Sequence, residues 1–127
     1  MIWIGNGDEI SQTARATIED RLAQGNYVEV SAFSAWELGV LVARSRLRLP
    51  MTPQDWFQKF CSEGGVMVAN ATVDVLVASS FLPGNPPRDP ADRIVIATAR
   101  ARDLTIVTRD AKILAYAQDG NVKAIAC

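Results

Sequence analysis

Hydrophobic and polar positions along the chain predict helices and short strands in alternation. Ser11 is a candidate N-cap for a first helix with apolar residues at helical spacing, and Gly25-Asn26 ends that helix. Further helices are predicted over 32–45, 52–64, 72–82, 89–102 and 110–117, and strands over 27–30, 66–69, 104–108 and 122–125. Because strands and helices alternate, we predict an α/β fold whose mainly parallel sheet is flanked by helices. No repeat or long linker divides the chain, so residues 1–127 are predicted to form a single domain.

The composition of the chain limits the kinds of protein that it can be. The chain has 127 residues, of which 49% are hydrophobic, enough for one core. No apolar run approaches the roughly 18 residues of a membrane span, and no basic segment followed by an apolar one opens the sequence, so we do not expect a secreted protein. The two cysteines lack a metal-ligand spacing, so we expect a reduced, cytoplasmic protein. Histidine is absent, which excludes His-based acid–base catalysis and His-ligated zinc.

Glu37 is a carboxylate on the predicted apolar stripe of its helix. The stripe is formed at helical spacing by Phe33, Trp36, Val40 and Leu41. A carboxylate on a buried face is costly unless it is paired or bound to a metal ion. Glu37 is therefore a candidate metal ligand. The alternatives are a salt bridge to Arg93 or Arg44, or a position at the rim of the buried face.

Asp89 and Asp92 begin a helix that is almost entirely apolar from Ile94 to Ala99. Asp89 precedes Pro90, which makes it a good N-cap, and Asp92 is at N3, where a carboxylate favours the helix dipole. These roles alone would explain both residues. However, a helix this apolar must be buried, and its N-terminus is expected to face a cleft. Both carboxylates are therefore also candidates for a functional site.

Asp110 follows the carboxyl end of an apolar strand. One interpretation is a cap on the helix that comes next. The other is a ligand-binding role, because open α/β sheets bind ligands at the carboxyl ends of their strands. Thr108 lies beside Asp110 and could orient a carboxylate or a water molecule.

These acids point to a divalent metal. Hard oxygen ligands without His or Cys suit Mg²⁺ or Mn²⁺ better than zinc, and such ions activate water and stabilise the leaving oxygen of a phosphodiester. Net charge is −1, so contact with nucleic acid must come from a local patch or through metal. Positive charge near the acids would come from Arg88, Arg93 and Arg109. In segment 44–50, Arg44, Arg46 and Arg48 alternate with other residues, which is typical of an amphipathic edge or of a phosphate contact.

Four segments in this order resemble the VapC-type toxins of the PIN-domain nucleases. They are Val30–Leu38, Arg46–Pro50, Asp89–Ala99 and Val107–Asp110. The resemblance covers nearly the whole chain and implies a PIN-like three-layer fold. It also implies a metal-dependent endoribonuclease toxin of a type II toxin–antitoxin pair, which a cognate antitoxin neutralises and which often forms a homodimer.

The resemblance also implies roles for individual residues. Glu37, Asp92 and Asp110 match the catalytic acids of the metal site, and Asp89 matches a frequent companion acid in this subgroup. Ser34 matches a helper residue. Together with Ser34, the candidates for substrate binding are Arg88, Arg93 and Thr108.

The first residues depart from the family pattern. The family opens with a strand that ends in Asp and is followed by an apolar helix, whereas here Met1–Ile4 leads directly to Gly5-Asn6-Gly7-Asp8. If Ile2–Ile4 is aligned with the end of that helix, the first strand and its Asp are absent. If Met1–Ile4 is the strand, Asn6 lies near the acid's position and too few residues remain for the helix. We expect the first alignment, explained by a late start codon or truncation, or alternatively by a degenerate, inactive toxin.

Two hypotheses from different classes follow. The first is an RNA-cleaving toxin that uses Mg²⁺ or Mn²⁺. The second is a catalytically inactive PIN-like binding module that has lost the metal but keeps the antitoxin contact. In either case, we expect the antitoxin to bind across the helix that contains Glu37. It would place an Arg among the acids, because a cation relieves the repulsion of clustered carboxylates, and would compete with Mn²⁺.

Overall fold

The computed structural model describes residues 9–127, in which helices and parallel strands alternate and confirm the α/β prediction. The described helices are α1 (Gln12–Ala23), α2 (Phe33–Ala43), α3 (Pro53–Gly64), α4 (Val73–Ser80), α5 (Pro90–Ala101) and α6 (Ala111–Gln118). The described strands are β1 (Val28–Ser31), β2 (Val66–Ala69), β3 (Thr105–Thr108) and β4 (Lys123–Ala126). The predictions on residues 1–8, including the strand alignment and Asn6, lie outside the described residues. In the part that is described, no helix is long and apolar enough to cross a membrane.

The contacts between residues divide the chain into two compact units. One contains residues 18–70 and Glu9, and the other contains residues 10–17 and 71–127. Helix α1 therefore contributes its first residues to the second unit and the remainder to the first. The prediction of a single domain stays a prediction.

The first unit is built on the parallel pair of β1 and β2. Val28 pairs with Val66 at one end and Ser31 with Ala69 at the other. Helices α2 and α3 lie between the two strands in sequence, as a parallel crossover requires. Its buried core cluster consists of Val30, Leu38 and Phe57.

The second unit is built on the parallel pair of β3 and β4, with α6 as the crossover. Its core cluster consists of Ile96, Ile113 and Tyr116. Helix α5 is the most buried element, as its apolar sequence predicts, because Ala91, Ile94 and the run 96–99 are all buried. This burial fixes the helix that begins with the candidate acids.

Polar side chains begin the helices as predicted. The Ser11 hydroxyl accepts a hydrogen bond from the Ala14 amide (3.2 Å) and donates one to the Ala126 carbonyl (3.0 Å). Thr52 accepts from the Asp55 amide (3.1 Å) and is followed by Pro53 at N1. Each cap satisfies an amide that has no partner within its helix.

Helices α1 and α2 end in the same hydrogen-bonded turn but with different residues. In α1 the turn residue is Gly25, with φ +78°, and the next amide, of Asn26, bonds to the Arg21 carbonyl. In α2 the equivalent residue is Ser45, with φ 55°, and the Arg46 amide bonds to the Leu41 carbonyl at 2.8 Å. This is the Schellman motif, whose left-handed residue is usually glycine. Ser45 therefore carries backbone strain that Gly25 does not.

Replacing Ser45 with glycine is expected to stabilise the protein by about 0.5–1 kcal/mol, because glycine adopts positive φ at no steric cost. The reverse change, Gly25→Ser, is the matched control and is expected to destabilise by a similar amount. A Cβ at Gly25 would meet no other atom within 4 Å, so its effect is confined to the backbone. Urea midpoints at constant m-value measure both. If both substitutions changed the free energy of unfolding in the same direction, the inferred strain at Ser45 would be contradicted.

Candidate active site

Two of the candidate acids lie at the start of α5. The Asp89 carboxylate accepts hydrogen bonds through Oδ1 from the amides of Ala91 (2.8 Å) and Asp92 (3.2 Å), and Pro90 is at N1. Asp89 is thus the N-cap, as predicted. Asp92 is half-buried in the first turn, where the aligned peptide dipoles favour negative charge.

The third acid of this unit, Asp110, begins α6 directly after β3. Its Oδ1 accepts from the amides of Lys112 (2.8 Å) and Ile113 (3.0 Å), so the predicted capping role is confirmed. The Thr108 hydroxyl accepts a hydrogen bond from the Asp110 amide (3.0 Å). Thr108 therefore holds the backbone of Asp110 at the carboxyl end of the strand.

Arg93, predicted as a basic group near the site, is committed to backbone carbonyls. Its Nε donates to the Ser79 carbonyl (2.8 Å), and its two Nη atoms donate to the carbonyls of Ser80 and Pro87 (both 3.2 Å). Two of these carbonyls belong to the last turn of α4, which lacks intrahelical donors. Arg93 thereby ties the end of α4 and the loop before Asp89 to the first turn of α5.

Tyr116 also fastens this loop, and our sequence reasoning missed it. Its side chain is buried, and its hydroxyl donates to the Pro83 carbonyl at 2.7 Å. Burial raises the pKa of the Tyr116 hydroxyl, with Arg100 and Arg93 acting in the opposite direction. The signal in the sequence was a tyrosine three residues after Ile113 on a buried helix face, since a buried hydroxyl requires a partner.

Glu37 belongs to the first unit, and its predicted burial is wrong. The fully buried residue of α2 is Leu38, whereas Glu37 is exposed and Trp36 is 61% exposed. The buried face of α2 contains Ala35 and Leu38, which pack in the core cluster with Val30. Glu37 therefore needs no metal or partner to offset burial, and its candidacy now depends on the family resemblance.

Other residues that the sequence analysis named are Ser34, Arg88, Arg109 and Arg44. Ser34 is half-buried in the first turn of α2, and Arg88 is exposed just before Asp89. Arg109 donates through Nε to the Cys127 carbonyl at 3.2 Å. Arg44 forms no ion pair among residues 9–127, so the alternative of a Glu37–Arg44 salt bridge is not observed.

Carboxylate oxygens suit a hard divalent ion. Within residues 9–127, however, no three His, Cys, Asp or Glu side chains form a group that could hold a metal ion.

Known proteins are similar to the chain over most of its length. The profile of the PIN domain matches residues 1–119. The chain is also 30% identical over 116 residues to Ribonuclease VapC22 of Mycobacterium tuberculosis (strain ATCC 25618 / H37Rv). This similarity covers 90% of the chain and 83% of that protein. No solved structure matches significantly. The chain therefore belongs to the PIN-domain family and, within it, to the VapC type.

Proposed function

We propose that the protein is an endoribonuclease toxin of a type II toxin–antitoxin pair. The observation that carries the proposal is the family match over residues 1–119, together with a relative that is named as a ribonuclease. Supporting it, Asp92 lies in the first turn of a buried helix and Asp110 lies at the carboxyl end of β3. Helix N-termini bind anions such as phosphate, and open α/β sheets bind ligands at the carboxyl ends of their strands.

We propose further that cleavage depends on Mg²⁺ or Mn²⁺ and on Glu37, Asp92 and Asp110, with Asp89 as a companion. The chain offers carboxylates and no histidine, which favours hard oxygen ligation. Asp89 and Asp110 direct Oδ1 to their capping amides. The second oxygen of each carboxylate has no hydrogen bond to the described residues, and it is the atom we propose for ligation.

The test is RNA cleavage by the purified chain with Mg²⁺ or Mn²⁺. Cleavage should be lost in EDTA and in the Asp92→Asn variant, because the amide removes a charge and changes little in shape. Asp74→Asn, a carboxylate in the first turn of α4, is the control and should cleave normally. If no metal-dependent cleavage disappears with Asp92→Asn, the ribonuclease proposal fails.

A second candidate is a non-catalytic binding module. It is favoured by the capping geometry, since helix N-caps alone account for Asp89 and Asp110. Titration calorimetry with Mn²⁺ distinguishes the two functions. Saturable binding that Asp110→Asn abolishes would exclude the module, and the absence of heat with correctly folded protein would support it.

The partners we propose are an antitoxin, RNA and a second copy of the chain. Helix α4 and its C-cap expose Val73, Val77 and Phe81 at a spacing of four residues, with exposed fractions of 75%, 56% and 81%. No basic residue and one acid, Asp74, lie on this helix. Depletion of charge is typical of the centre of homodimer interfaces, which favours a second copy here. We also propose a cytoplasmic location, where free thiols such as those of both cysteines persist.

A further inference from the structure

Three arginines follow α2 and point away from the core; we call Arg44, Arg46 and Arg48 the arginine strip. All three are exposed, and none forms an ion pair within residues 9–127. The two leucines between and after them, Leu47 and Leu49, pack against the Val30–Leu38–Phe57 cluster. Exposed arginines and packed leucines therefore alternate along this segment, as the sequence predicts. The segment exposes three positive charges that form no ion pair within the described residues.

The backbone that carries the arginine strip is held in place. The amides of Arg46 and Leu47 both bond to the Leu41 carbonyl, at 2.8 and 3.2 Å, and the Ser45 amide bonds to Val42 at 2.9 Å. With the leucines anchored in the core, little backbone freedom remains to be lost on binding. A preorganised segment binds a ligand at lower entropic cost than a flexible one.

The exposed face of α2 leads from the arginine strip to an aromatic ring and a candidate acid. Trp36 is 61% exposed, and its ring lies against that of Phe33 with centroids 5.3 Å apart. Glu37 precedes Arg44 by seven residues, which places the two on nearly the same side of the helix, about 10 Å apart along its axis. The indole ring and the acid therefore lie on α2, and the positive charges follow at its carboxyl end.

We propose that the arginine strip and Trp36 form a binding surface for single-stranded RNA, with the arginines on phosphates and the indole stacked on a base. This combination of cations and an exposed aromatic ring is typical of single-strand binding. An acidic protein segment could also pair with the arginines, and competition with polyglutamate distinguishes it from RNA. The proposal rests on the ribonuclease function, to which it adds the surface that holds the substrate.

The test is the binding of a fluorescein-labelled oligouridine to the purified chain in EDTA, where no cleavage occurs. The double variant Arg46→Gln/Arg48→Gln is compared with Arg15→Gln/Arg21→Gln, which removes the same charge from exposed positions of α1. For a single strand, each lost phosphate contact should reduce the slope of log K against log salt by about 0.7. We expect a slope smaller by about 1.4 for the strip variant and an unchanged slope for the control. Equal slopes in both variants would overturn the proposal.

Trp36→Leu separates stacking from charge. We expect about tenfold weaker binding with an unchanged salt slope, since one stacked base contributes about that factor. Polyglutamate with the same charge as the oligouridine serves as the competitor that represents an acidic protein partner. It should displace the oligouridine poorly, and equal displacement would contradict an RNA surface. The binding assay contains no metal, so binding and cleavage are measured independently. A protein that binds the oligouridine normally but cleaves no RNA would overturn only the proposed ribonuclease function.

Discussion

Replacing Asp110 with asparagine is expected to reduce RNA cleavage by about 100-fold or more while leaving the free energy of unfolding within about 0.5 kcal/mol of its original value. Asparagine keeps an oxygen that can accept from the amides of Lys112 and Ile113, as Oδ1 of Asp110 does now. It removes the negative charge that we propose for ligation. The substitution therefore separates the chemistry of the carboxylate from its structural role at the start of α6.

Asp110→Ala is the companion variant, because it removes both the charge and the cap. We expect the same loss of cleavage together with a destabilisation of about 1 kcal/mol. Thr72→Ala supplies the control, since Thr72 caps α4 through the Val75 amide and carries no charge. It should lose stability and keep its cleavage rate per folded molecule. If the asparagine variant cleaves normally, Asp110 is a cap and nothing more.

Sequence signals were sufficient where the cause of the structure is local. Asp89 before Pro90 specifies a helix start within four residues, and the structure confirms the cap with two hydrogen bonds. The apolar run from Ile94 to Ala99 likewise specifies burial, because a helix that is apolar on every side has to be covered. Element types and approximate bounds follow from such short-range rules.

Which side of α2 is buried could not be predicted from the sequence in the same way. Ten of its eleven residues are uncharged, so the sequence gives little contrast between a buried and an exposed face. The spacing of Phe33 and Trp36 favoured a stripe that included Glu37, whereas packing against Val30 and Phe57 selects Leu38. Which face of such a helix is buried depends on its neighbours in the fold.

Roles that depend on distant backbone atoms were also beyond sequence reasoning. Arg93 bonds to carbonyls six, thirteen and fourteen residues away, and the Tyr116 hydroxyl reaches a carbonyl 33 residues away. An arginine between acids and apolar residues indicates a charge near the site. The carbonyls at the end of α4 have no donor within the helix, and only the folded structure shows that the Arg93 guanidinium reaches them.

Arg93→Met is expected to destabilise the protein by about 2–3 kcal/mol, because it leaves the carbonyls of Ser79, Ser80 and Pro87 without their charged donor. Methionine keeps the apolar stem, so lost hydrogen bonding accounts for most of the effect. Lysine should restore only part of the stability, since an ammonium group cannot reproduce the planar fork that reaches three acceptors. Urea unfolding at constant m-value measures all the variants.

Arg88→Met is the matched control for this prediction. Arg88 is exposed, lies five residues earlier and forms no side-chain hydrogen bond with the described residues, so its replacement should change stability by less than about 0.5 kcal/mol. If Arg93 instead acted on RNA, Arg93→Met would unfold at the original urea concentration and lose only cleavage. Equal stability of the Arg93 and Arg88 variants would show that the three carbonyl contacts do not hold the loop before Asp89. We expect the opposite, because two of those carbonyls end a helix whose own backbone offers them no donor.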